Sequence, residues 1–197
     1  MTEQKRKLPQ VSNIQNLGRL GIFNVQSLDI KFNNGQERKY YRLHAAHDAV
    51  TVIAVDQDHL LLIEEYSAGT LNYELGFVRG GIDDNEQLLV AAARELGEEV
   101  GYKAQLLTHL TSFYNSTGYQ TAQMHVVVAT GLTPLAQMLE GDEPEPLTIV
   151  RWPLAELDTL IAQGLFRDSR NLVALYAFRD YYNSGKLQPA LTNSVEL

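Results

Sequence analysis

The sequence contains no cysteine. That excludes a disulfide framework, a thiolate zinc site and a cysteine nucleophile. Nowhere does it hold the roughly 20 consecutive apolar residues of a membrane-spanning helix, and its opening MTEQKRKLPQVSN lacks the apolar centre of a signal peptide. A cytoplasmic protein with no membrane partner is the expectation. Positive charge is scarce too: 16 Lys and Arg stand against 24 Asp and Glu, a formal net charge of −8. Without surplus cations the chain has little with which to displace counterions from a phosphate backbone, so nucleic acid is not the expected partner. The five histidines, His44, His47, His59, His109 and His125, show no paired ligand spacing. No Gly-x-Ser-x-Gly elbow is present to support Ser-His-Asp chemistry.

What is present is a globular composition. Of 197 residues 45% are hydrophobic and 20% charged, which suits one core, or one core with an added arm. Residues 1–20 are polar and weakly patterned and read as a mobile or partner-dependent lead-in. A hairpin signal follows: a partly alternating run at 22–32, the turn Asn33-Asn34-Gly35, and a second alternating run at 37–44. With few apolar residues of its own, this hairpin reads as an arm that must pack on something, a second subunit being one candidate. From Ala49 the texture changes. Residues 49–55 and 60–63 are short apolar runs separated by Asp56-Gln57-Asp58-His59, as expected of paired, buried strands. A glycine-containing connection at 76–81 leads into a helix over 86–100, and strands are expected at 105–113 and 122–129. Residues 132–147 read as an acidic loop holding Pro144 and Pro146, and 148–152 as a strand, after which Pro153 opens a helix. A last helix over 168–182 stacks Leu172, Leu175 and Phe178 on one face. The elements alternate without a regular parallel rhythm, which predicts a mixed sheet flanked by helices.

The segment from Gly80 to Tyr102 carries the chemistry. Asp84 with Gln87 three residues on matches a capping box, and Gly101 is a natural glycine beyond the helix end. Leu89, Ala92, Ala93, Leu96 and Val100 follow the spacing of a buried stripe. Glu95, Glu98 and Glu99 then share a neighbouring face away from it. These three carboxylates repel one another and sit where the helix dipole disfavours negative charge. A hard divalent cation would reverse both effects, because Mg²⁺ and Mn²⁺ favour carboxylate oxygens. A solvated acidic helix end is the plainer alternative. The triplet beside two glycine turns favours metal.

The spacing Gly80-x5-Glu86-x7-Arg94-Glu95-Leu96-x-Glu98-Glu99-x-Gly101 fills every fixed position of the Nudix box. Setting aside Leu96, which need only be apolar, seven such identities arise by chance at a given start roughly once in 10⁸ or less at ordinary residue frequencies. The chain therefore resembles the Nudix hydrolase superfamily. The arm, the lead-in Tyr73-Glu74-Leu75-Gly76-Phe77, and Glu140-Gly141-Asp142-Glu143-Pro144-Glu145-Pro146-Leu147 before Val150-Arg151-Trp152-Pro153-Leu154 extend the likeness to its ADP-compounds hydrolase (NudE-type) branch, over residues 23–179.

The resemblance implies an α/β fold, a Nudix-type α/β/α sandwich with a mixed sheet. It also implies an N-terminal antiparallel β-hairpin arm in residues 1–47 that forms a homodimer, with the hydrolase domain in 48–197. The implied activity is hydrolysis of the diphosphate linkage in ADP-linked compounds such as ADP-ribose, NADH and diadenosine triphosphate, releasing AMP. The implied cofactor is Mg²⁺, or Mn²⁺ in its place, as one to three ions. Ligation falls by resemblance to Glu95, Glu98 and Glu99, with Glu86 nearby and the Arg79 carbonyl and Glu145 as further contacts. Gly80, Arg94 and Gly101 have structural roles, Arg94 pairing with a box glutamate to hold helix against loop. Glu143 is the expected general base beside the catalytic Glu98, with Glu140 and Asp142 close by; a merely solvated acidic loop is the competing reading. Tyr66, Tyr73, Glu74, Tyr41 and Tyr119 are the expected substrate-binding residues, with Tyr40, Arg42 and Tyr114 similar in kind. Two other functions stay open: a Nudix nucleoside triphosphate pyrophosphohydrolase, and a catalytically silent ADP-ribose or NAD sensor.

Overall fold

The structure, a computed structural model, describes residues 6–141 and 144–187. These residues fall into two units. The smaller comprises the chain up to Ala46 together with Tyr114–Ala122. Its sheet has three antiparallel strands in the order β1 (Gln10–Leu20), β2 (Phe23–Lys31), β3 (Glu37–His44). The β2–β3 hairpin turns where the sequence predicts, with Gly35 at φ +82°. The lead-in does not: residues 10–20 are a strand, paired along their length with β2. Their apolar residues recur every third position (Val11, Ile14, Leu17, Leu20), which disguises the two-residue period of a strand. Register shifts between Val11 and Asn13 and between Asn16 and Gly18 reconcile the two. Each bulge inserts one residue, so Val11 and Ile14 stay on one face, opposite Ile30 and Leu28. Segment 114–122, expected in the larger domain, joins this unit through Leu43 N–H to Tyr119 O at 2.7 Å and Ala45 N–H to Thr121 Oγ1 at 3.0 Å.

The larger unit begins at His47. In chain order it contains β4 (Ala49–Asp56), β5 (His59–Ser67), β6 (Asn72–Gly76), β7 (Val78–Gly81), α1 (Leu88–Glu99), β8 (Tyr102–Lys103), β9 (Leu106–Tyr114), β10 (Gln123–Thr130), β11 (Thr133–Pro134), β12 (Thr148–Pro153), α2 (Leu157–Ala162) and α3 (Ser169–Asn183). The main sheet runs β12-β5-β4-β10-β9, with β4 and β10 parallel, so it is mixed as expected. Residues of β4, β5 and β10 face two apolar layers in turn. Val50, Val52, Ala54, Leu61, Ile63, Val127 and Ala129 pack with Ala91, Ala92 and Leu96 of α1. Ile53, Val55, Leu60, Leu62, Val126 and Val128 pack with Leu157 and Leu160 of α2 and Leu175 and Phe178 of α3. Strands covered on both sides read as continuous apolar runs, which is why they were recognisable. The result is an α/β/α sandwich. Among the described residues no helix is long and apolar enough to cross a membrane.

One departure from the expected layout positions the site. The connection at 76–81 is extended chain, not a loop. β4 and β5 pair only near their turn, at Ala54–Leu61 to Asp56–His59. Beyond it they splay, and residues 72–81 enter the gap: β6 pairs with β5, then β7 with β4. The partner change at Phe77 breaks the ladder, and Asn171 of α3 repairs it. Its Oδ1 accepts from Phe77 N–H at 3.2 Å and its Nδ2 donates to Leu75 O at 3.4 Å. Asn171 is fully buried, and a Cβ on Gly76 would stand 2.7 Å from its Nδ2, so the glycine admits it. Two smaller expectations also change. Pro153 closes β12 and precedes a 3-10 turn (Leu154–Glu156) before α2 begins. The box helix starts at Leu88, after Gln87, and no side chain caps it. Asp84 cannot be its cap because Asn85 takes a left-handed φ of +65° between them.

Candidate active site

β7 and α1 bring the two ends of the box together. Gly80 on β7 lies directly beneath Glu95 of α1, and a methyl group there would overlap the Glu95 carboxylate. One residue earlier, Arg79 N–H donates to Glu99 Oε2 at 3.1 Å. Arg94 gathers the others: its guanidinium donates to Glu86 Oε1 and Oε2 at 3.0 Å each, Glu95 Oε1 at 2.7 Å and Glu98 Oε2 at 3.0 Å. It also donates to Gly81 O at 2.8 Å, so the same side chain fastens helix to strand. Glu86 completes a turn by accepting from Asp83 N–H at 3.0 Å. The Arg94 guanidinium holds Glu86 below the usual carboxylate range against the opposing effect of burial, and Arg94 itself is pushed up.

The helix is rotated relative to the expected stripe. Leu89 and Ala93 are exposed, while Ala91, Ala92, Glu95, Leu96 and Glu99 are buried. Glu95 and Glu99 therefore belong to the buried face, only 6% and 4% exposed. The absence of a side chain at Gly80 makes this possible. Gly101 follows the helix with φ +72°, the left-handed conformation of a terminating glycine, and its carbonyl accepts from Leu135 N–H at 2.8 Å.

The donors suit a hard divalent cation in kind. All are oxygens, two of the carboxylates are nearly buried, and the Gly80 cradle holds Glu95 against the strand. Arg79 is paired with Thr51 in the ladder, and its N–H is turned to Glu99. In a strand the carbonyl of a residue lies on the same side as its N–H, so Arg79 O faces the box as well. The carboxylates are nevertheless grouped around Arg94, and among the described residues no three acids or histidines stand in metal-holding geometry.

The acidic loop is fastened near both ends. Leu139 N–H donates to Gly97 O at 3.2 Å, and a Cβ on Gly97 would stand 2.6 Å from Leu139 Cδ1. At the far end Glu145 Oε1 accepts from the Tyr73 hydroxyl at 2.7 Å. That carboxylate raises the Tyr73 phenol above its ordinary value, by the hydrogen bond first and by charge second. Glu143, the expected base, and Asp142 lie outside the described residues; Glu140 is exposed. Tyr66 meets Tyr73 edge to face, ring centroids 5.6 Å apart, and the pair borders a cavity of about 280 Å³ with Glu64, Glu65 and Glu145. Glu74, expected at the substrate, is engaged by Arg167, which holds it below the carboxylate range. Tyr41 and Tyr119 line a cleft of about 350 Å³ in the smaller unit with Tyr40, Arg42 and Tyr114. The sequence did not suggest the Arg79 side chain, which donates to Glu65 at 2.8 Å and lies 3.9 Å from Asp168. Nor did it suggest Asp168, which caps α3 by accepting from Arg170 N–H at 2.8 Å. A lone arginine before a glycine gives no signal of its partners.

A family model for the NUDIX domain matches residues 45–176, and one for the NudE-type Nudix hydrolase N-terminal domain matches residues 9–42. The ADP compounds hydrolase NudE of Escherichia coli (strain K12) is 43% identical over 174 residues, 88% of this chain and 92% of that protein. The ADP-ribose pyrophosphatase of Bacillus subtilis (strain 168) is 29% identical over 149 residues, covering 75% and 80%. A crystal structure of an ADP compounds hydrolase aligns with a TM-score of 0.85 at 42% identity, covering 91% of this chain and 96% of that one.

Proposed function

The chain belongs to the Nudix family, and on that premise we propose that it hydrolyses the diphosphate linkage of ADP-linked compounds with release of AMP. One observation carries the reading: the strand-to-helix junction collects all four box glutamates, with Glu95 seated on Gly80. The chain's likeness to an ADP compounds hydrolase along most of its length supports the choice of substrate class. Glu95, Glu98 and Glu99, with Glu86 and the Arg79 carbonyl, are the residues that would hold Mg²⁺ or Mn²⁺, with Glu145 as a further contact. When bound, such an ion lowers the pKa of a water and offsets charge on phosphoryl oxygens. Arg94 orients Glu86, Glu95 and Glu98 and keeps α1 on β7. Glu143 is the proposed proton acceptor. Tyr66 and Tyr73 in the larger unit offer ring surface to the base or its partner moiety, and Tyr41 and Tyr119 are proposed as substrate-binding residues of the smaller unit's own cleft.

The test is a panel of ADP-ribose, NADH, diadenosine triphosphate and dGTP with Mg²⁺, products separated by chromatography. AMP from the first three, lost with EDTA and restored by excess Mg²⁺, is the expected result. Turnover confined to dGTP would instead support a nucleoside triphosphate pyrophosphohydrolase, and binding of ADP-ribose without turnover a sensor.

The smaller unit exposes Val11, Ile14, Leu17, Leu20, Ile22 and Phe23. This number of exposed apolar side chains in one short stretch favours burial against a second copy of the chain. The proposed assembly is a homodimer through the arm, in the cytoplasm. Sedimentation should show a dimer, and removal of residues 1–45 should dissociate it and depress activity. A fully active monomer after that removal is incompatible with the assignment.

A further inference from the structure

We propose that Tyr73 is a positioning residue whose hydroxyl fixes Glu145, and with it the Pro144–Pro146 segment, against the β5–β6 pair. This rests on the reading above that Glu145 serves the reaction. Tyr73 and Tyr66 are directly opposed across β6 and β5. Their edge-to-face contact, with an interplanar angle of 72°, limits the swing of the Tyr73 ring. Tyr73 is 50% exposed, so the ring is not part of the core. Its one polar atom is committed to Glu145 Oε1 at 2.7 Å.

The segment it holds is stiff. Pro144 and Pro146 each fix their own φ near about −65°, and a residue before proline is confined to extended conformations, which restricts Glu145 as well. A tether on Glu145 therefore orients the three-residue unit and not merely one carboxylate. Two residues later the chain is held again, where Thr148 pairs with Glu64 in the β12–β5 ladder. With the segment fixed at Glu145 and at Thr148, the wall of the cavity beside Tyr66 and Tyr73 is set. Without the hydroxyl, the segment keeps the Thr148 pairing and the packing of Leu147 on the core, but the Glu145 carboxylate loses its tether. Tyr73 acts through Glu145, and its ring remains available to the substrate.

The experiment is a double-mutant cycle in the full-length protein with Tyr73→Phe, Glu145→Gln and the double variant. Steady-state kinetics with ADP-ribose and Mg²⁺ are combined with thermal unfolding. Tyr73→Phe keeps the ring, so its unfolding temperature should match that of the wild type. Its kcat should fall roughly 10-fold, the lower end for loss of a residue that orients a functional group, with KM changed by less than about 2-fold. The double variant should be no slower than Glu145→Gln alone, because the carboxylate charge whose placement the hydroxyl governs is already gone. A wild-type kcat for Tyr73→Phe, a rise in KM alone, or additive losses in the double variant each overturn the positioning role. If Glu145→Gln is slow while Tyr73→Phe is not, only the positioning role fails. If Glu145→Gln runs at the wild-type rate, the assignment of Glu145 to the reaction fails and the positioning role falls with it.

Discussion

Glu99→Gln should slow ADP-ribose hydrolysis by roughly two orders of magnitude or more, an increase of at least about 2.7 kcal/mol in the barrier. The side chain keeps its length, and a Gln oxygen can still accept the Arg79 N–H that Glu99 now accepts at 3.1 Å. What the substitution removes is a formal charge in a nearly buried position. A neutral amide oxygen is a weaker partner than a carboxylate for a hard divalent cation. The loss should therefore appear in turnover and in the Mg²⁺ concentration needed for half activation, while the unfolding midpoint stays close to that of the wild type. A variant that turns over near the wild-type rate would remove Glu99 from the set of cation-binding residues.

Gly80→Ala is the second large effect, and it acts on folding and activity together. The added methyl would occupy space now filled by the Glu95 carboxylate, whose own helix is fixed on both sides by buried Ala92 and Leu96. Either Glu95 turns away or α1 rises from β7, so activity should fall by roughly 100-fold or more. Stability should drop by about 1–3 kcal/mol, as for other overpacked sites. Gly81→Ala provides the comparison, because a Cβ there meets nothing within 4 Å. Its stability should stay within about 0.5 kcal/mol of the wild type. Urea unfolding of both variants decides the point: equal losses would mean that the close approach of Glu95 is not what Gly80 provides.

The box and the central strands were legible because each carries its signal locally. Residues 50–55 of β4 and 60–63 of β5 are covered on both sides and so are almost wholly apolar, and the box is a set of identities at fixed spacing. Three features were not legible, each for a tertiary reason. β1 was concealed by two bulges that convert a three-residue apolar repeat into strand pairing with β2. The extended path at 72–81 depends on the splaying of β4 from β5 and on a buried Asn171 that lies 94 residues beyond Phe77. The rotation of α1 defied the apolar pattern because two of its inward residues, Glu95 and Glu99, are charged. Helical periodicity assigns such residues to solvent unless a glycine on the facing strand is known to leave room for them. Gln87 and Leu88, and not Asp84, mark the helix start because the Asp83–Glu86 turn intervenes.

Gly80 alternates with Arg79 along β7, and so the strand can dock in only one way. Val78 and Gly80 face α1, and Arg79 extends the other way to Glu65. A slip of one residue against β4 would exchange the two faces. Slipped in one direction, Arg79 replaces Val78 under the helix; slipped in the other, it replaces Gly80. The first error places a guanidinium in an apolar layer, and the second fills the space that the Glu95 carboxylate occupies over Gly80. Helix docking thus admits only one alignment of the strand. A chain that has closed α1 over the sheet has, by the same act, set Glu95 over Gly80.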